Sequence, residues 1–151
     1  MCTAYNKGIT NDLITQFNNN NGVLDLWKVY RVVEKSLLSP FNSKKSGGRI
    51  RGAGIKKSSK KDNFFNSIFN DSILEGFHVC IDEKSAKRFY YSTDIEYGKK
   101  IIIIKVKVKK EDLIGAGYWR PFLIDWDTKN AVFTKLEITK EEWKKIKFPK
   151  K

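Results

Sequence analysis

Hydrophobic positions along the chain recur with two periods, and the points where the period changes mark the elements. Residues 10–20 read as a short helix, with Leu13, Ile14 and Phe17 on one face, Thr10 as its cap and Gly22 as its stop. The run Asn18 to Asn21 predicts fraying at its end. VLDLWKVYRVV, residues 23–33, is rich in β-branched and aromatic residues with apolar side chains on both faces, the mark of a central strand. Pro40 in LLSPF marks its exit. After Asp62, the positions Phe64, Phe65, Ile68 and Phe69 have helical spacing and predict a second helix packed on the core.

EGFHVCI, residues 75–81, predicts a short buried strand, and DEKSAKRFYY a helix capped by Asp82 with Ala86, Phe89 and Tyr90 inward. IIIIKVKVKK alternates, placing Ile102, Ile104, Val106 and Val108 on the core and Lys105, Lys107 and Lys109 outside. EDLIGAG would end that strand with glycines, and a hairpin is expected around Trp126 to Lys129. Thr139 and Glu142 form a capping box ahead of a last helix, whose Trp143 and Ile146 face inward. The expected fold is a single α+β domain over residues 1–151: a mostly antiparallel sheet of about five or six strands with about three or four short helices.

Charge changes the picture most. Lys and Arg number 30 against 17 Asp and Glu, a net charge of +13 that favours polyanionic partners, nucleic acid first. Lysine outnumbers arginine and Asn and Ile are abundant, so part of the charge can equally reflect an AT-rich genome. Residues 44–61 concentrate it, with eight basic residues, four glycines and no acid, and predict a flexible basic loop with a short strand around Ile50 to Ile55. Lys44, Lys45, Arg49, Arg51, Lys56, Lys57, Lys60 and Lys61 could track a phosphate backbone, the glycines letting the main chain approach and donate. The other reading is a solvated loop. GGRIRGAG is no phosphate-binding loop, because the lysine and hydroxyl that should follow are out of register. Lys105, Lys107 and Lys109 form a second basic row, with alternate residues about 6.6–6.8 Å apart, close to the repeat of phosphates on an extended strand.

Other candidates are weaker. Trp119, Trp126, Tyr97 and Tyr118 either stack bases or cover a small core. Asp125 and Asp127 fit a turn better than a metal site. Two cysteines, Cys2 and Cys80, with one histidine, His78, cannot make a standard zinc site, so no metal is expected. His78 is either a general acid or base or a core side chain with a partner for each nitrogen. No apolar run is long enough to span a membrane and MCTAYNKG has no signal-peptide pattern, so a reducing cytoplasm is expected.

Two resemblances add expectations. GFHVCIDEKSAKRFYY resembles the strand–helix of ADP-ribosyltransferase folds, with WKVYR as the earlier strand. That resemblance implies an NAD-using enzyme with Tyr30, Arg31 and His78 at the cofactor and Glu137 positioning the acceptor. The chain departs from that family at its first strand and has Lys135 where a second acid would stand. The layout is also similar to small basic proteins of bacteriophages and mobile elements, anti-CRISPRs among them. It shows an early Y-x-V strand, a GFH strand–helix and a terminal T-x-E-E-W helix. This second resemblance implies a non-enzymatic protein without cofactor that engages nucleic acid or a nucleoprotein, such as a guide-loaded nuclease, and inhibits a host defence system.

Overall fold

The computed structural model describes residues 3–38, 49–57, 64–66, 71–73, 76–89, 100–119 and 128–148. Its elements are β1 (Thr3–Tyr5), α1 (Lys7–Asn19), β2 (Val23–Val33), β3 (Ser36–Leu38), β4 (Gly54–Lys57), β5 (Phe64–Asn66), β6 (Asp71–Ile73) and β7 (Phe77–Cys80). They continue with helical residues 83–89 (α2), β8 (Ile101–Lys109), a 3-10 turn at Lys110–Asp112, β9 (Leu113–Trp119), β10 (Thr128–Phe133), β11 (Lys135–Ile138) and α3 (Lys140–Lys144).

All the strands belong to one sheet, in the order β4-β11-β8-β2-β7-β10-β9-β1-β6-β5, with β3 paired to β2. The expected five or six strands are therefore a correction: the sheet has 11 among the described residues, every pairing antiparallel. β1 and β3 are short strands that the hydrophobic pattern does not mark, and two further stretches differ from their reading. The segment read as a helix after Asp62 contains β5 and β6, paired Phe64↔Ile73 and Asn66↔Asp71, and β6 in turn pairs with β1. EDLIGAG does not end a strand but begins β9. A β-carbon at Gly117 would lie 1.7 Å from the Ala4 carbonyl oxygen, so this glycine marks where β1 crosses close to β9.

β2 is central, as its two-sided apolar pattern predicts, pairing over nine positions with β8 and at Trp27↔Cys80 with β7. Its alternation separates two cores. Leu26, Tyr30 and Val32 join Ile104, Val106, Val108, Val79, Phe133 and Leu136 on one face, covered by Leu13 and Phe17 of α1. Val29, Cys80, Ile101 and Trp119 lie on the other face, covered by Ala86 and Phe89 of α2. Phe17 meets Phe133 edge-on with centroids 6.0 Å apart, and Phe89 meets Trp119 at 4.7 Å.

The caps are partly as the sequence suggests. Asp82 accepts from the Ser85 amide at 2.6 Å, and Thr139 from the Glu142 amide at 3.2 Å. At α1 the cap is Asn6, which accepts from the Ile9 amide at 2.9 Å, and not Thr10. Thr10 already lies inside the helix and bridges it to β9, accepting from the Ala116 amide at 3.1 Å. The helix closes where Asn21 enters the left-handed region and the Gly22 amide reaches back to the Phe17 carbonyl at 2.7 Å.

The sheet is strongly curled. β7 and β1 are three ladder steps apart, about 14 Å on a flat sheet. Yet Thr3 Oγ1 and His78 Nδ1 are hydrogen-bonded at 2.9 Å. No described helix is long and apolar enough to cross a membrane.

Candidate nucleic-acid interface

Among the described residues, α2 covers one face of the sheet over β7 and the Ile101 end of β8, and on that same face Ile55, Lys57, Lys105, Lys109 and Lys135 are exposed. Lys107 is opposite Asp25 of β2 and Glu137 of β11. Lys105 is opposite Trp27, and its Nζ lies 6.0 Å from that ring. Glu137 in turn is opposite Ile55 of β4, and Lys135 is opposite Lys57. Since Glu137 stands level with Lys107, antiparallel register brings Lys135 level with Lys109.

The result is one shallow basin of about 250 Å³ with Lys57, Lys107, Lys109 and Lys135 in its lining. Glu111, Asp112 and Glu137 also line it, so its charge is mixed, with four cations and three carboxylates. Ile55 sits at the edge, 63% exposed. Lys57 and Lys135 are a directly opposed like-charge pair, an arrangement that costs a sheet free energy. A bound anion between them would reverse that cost.

The structure thus joins part of the two basic segments. Lys57 comes beside the row Lys105, Lys107 and Lys109, while Lys56 points to the other side, half-buried, with Nζ 3.4 Å from the Ala53 carbonyl. Arg49 lies 3.8 Å from Glu34, and Arg51 is exposed. Lys44, Lys45, Lys60 and Lys61 lie outside the described residues, as do Cys2, Tyr90, Tyr97, Asp125, Trp126 and Asp127. Within 49–57 the chain is not a plain loop: Ile50 bridges to Leu37 and β4 pairs with β11 along its length.

The chain matches no protein family, no curated protein and no solved structure.

The four residues of the ADP-ribosyltransferase resemblance are not assembled into one cleft. Tyr30 and Arg31 are consecutive in β2 and project to opposite faces, both buried. Tyr30 sits in the larger core, where burial holds its hydroxyl well above the usual tyrosine range. His78 is buried against Thr3. Glu137 belongs to the lysine basin, three ladder steps from β7, about 14 Å across the sheet alone. Trp119 packs on Phe89, so of the aromatic candidates it serves the core.

Three contributors escaped the sequence reading. Lys135 reads as an ordinary surface residue of a short strand, although the alternation Lys135–Glu137 could have put both on the face of the lysine row. Ile55 falls at the end of the short strand expected within the basic loop, with nothing to mark it as a contact. Lys28 shares the face of Leu26 and Tyr30 in the alternation of β2 without standing out as a candidate, and it is 5% exposed. Its Nζ donates to the His78 carbonyl at 2.8 Å and lies 5.0 Å from the Tyr30 ring centre. Desolvation lowers its pKa to about 8, against a smaller raising effect from Cys80. Burial also pushes the Cys80 thiol up to about 12, with Lys28 opposing and Asp82 adding to the rise. A thiol held protonated in this way is a poor nucleophile.

Proposed function

We propose that this protein is a non-enzymatic binder of nucleic acid, bare or held in a nucleoprotein such as a guide-loaded nuclease. The contact surface is the open face of β8, β11 and β4. The observation that carries the reading is the convergence on one basin of Lys57, Lys107, Lys109 and Lys135, drawn from three separated stretches of chain. The net charge of +13 supplies the long-range attraction. Inhibition of a host defence nuclease in a bacterial cytoplasm is the setting the reading fits, the lysines contacting phosphates of the nucleic acid that such a complex holds.

The direct test is the salt dependence of oligonucleotide binding. Each phosphate neutralised contributes roughly 0.7–0.9 to the slope of log affinity against log salt, so four lysines predict a slope of about −3. Affinity that is absent at low salt, or that stays constant as salt rises, rules the reading out. A pull-down from host lysate with and without nuclease treatment then separates bare nucleic acid from a nucleoprotein.

A further inference from the structure

We infer that the ligand of this face is a single strand that bends through roughly a right angle, and not a duplex; the inference rests on the nucleic-acid reading above. The positive charge is arranged as an angle. One arm runs along β8 through Lys105, Lys107 and Lys109. The other crosses the sheet from Lys109 through Lys135 to Lys57, which is directly opposite Lys135. Glu137 stands in the inner corner, beside both Lys107 and Ile55. Asp25 flanks the first arm on its outer side, and Glu111 and Asp112 follow Lys109 at the end of β8. Neighbouring strands are about 4.8 Å apart, so the carboxylates confine the track to the width of one phosphate file.

Flexibility then decides between ligands. A duplex has a persistence length of about 150 base pairs, so turning it within a few phosphates demands a sharp, energetically costly kink. To reach both arms without that kink it would have to cut the corner, placing phosphate over Glu137. A single strand can follow both arms, with phosphates on the lysines. Two apolar contacts lie beside the track for its bases: Ile55 in the corner, 63% exposed, and the partly buried Trp27 next to Lys105.

The test compares a labelled single strand of roughly 12 nucleotides with the matching duplex, by fluorescence anisotropy of the full chain at about 50 and 200 mM salt. The expected result is at least about tenfold tighter binding of the single strand. Glu137→Gln is expected to cut that preference to about threefold or less by strengthening duplex binding. Lys109→Gln, at the vertex, should weaken single-strand binding and reduce its salt slope by about 0.7. Lys110→Gln is the control, since Lys110 Nζ is turned away to Asn18 at 2.7 Å. Salt-dependent binding of both forms with equal affinity, or a preference unchanged by Glu137→Gln, overturns the single-strand inference and leaves the nucleic-acid reading standing. Absence of salt-dependent binding to either form overturns both.

Discussion

Lys28 carries its ammonium into an apolar interior, and its surroundings set a pH dependence. The lowering of its pKa from 10.5 to about 8 corresponds to roughly 3 kcal/mol against the charged form. The unfolded chain therefore holds a proton between those values that the folded chain has released, and stability rises with pH through that interval. Cys80 acts oppositely: its thiol stays protonated up to about 12 when folded against 9.0 when unfolded, so its contribution is lost as pH rises above 9.0. The net rise is confined to the lower part of the window, about 1 kcal/mol between pH 7 and 9. Urea denaturation across that range should show the rise in the parent chain, and Lys28→Met should abolish it while stabilising the fold at pH 7 by about 1–3 kcal/mol. A Lys28→Met chain less stable than the parent would mean that the bond to the His78 carbonyl outweighs desolvation. At Gly117 the limit is space. Gly117→Ala should destabilise by about 3 kcal/mol or more, read as a fall in denaturation midpoint, because the obstacle is the Ala4 backbone and not a movable side chain.

At the scale of elements, local preference was decisive where a side chain meets its own backbone, and weaker where an open strand edge was on offer. Asp82 and Thr139 cap their helices as the sequence suggests because the partners lie three residues away. Asn6→Ala should cost about 1 kcal/mol, measured as loss of stability and of helical signal, because it removes the cap that the Ile9 amide uses. Thr10, the cap expected from the sequence, lies inside the helix because α1 begins at Lys7, and its hydroxyl instead meets Ala116 of β9. The stretch after Asp62 shows the converse. Its helical spacing is real, but β1 presents an unpaired edge that β6 completes, and β5 pairs outside β6. Strand pairing to a distant segment is invisible to any local window.

For the whole molecule, charge works against stability and, in the function proposed above, towards binding. Lys57 and Lys135 face one another across two strands in a chain already carrying +13. Lys135→Gln should stabilise the free protein by a few tenths of a kcal/mol, about what an opposed like-charge pair costs, and weaken oligonucleotide binding. Both changes should shrink at high salt as screening shortens the reach of the charges. Stabilisation that persists unchanged in high salt would point to a packing effect of the substitution instead.

By itself, the sequence determined the central strand β2, the alternation that turns Lys105, Lys107 and Lys109 outward, and two of the helix caps. Those follow from periods of two and from contacts a few residues long. Only the tertiary structure decided that Lys57 and Lys135 join the row, that Glu137 stands in its corner, and that Lys28 and His78 are buried. The register between strands far apart in the chain sets which surface residues share a patch. The curl of the sheet, which brings Thr3 onto His78, closes the interior around residues whose own types would have suited solvent or a site equally well.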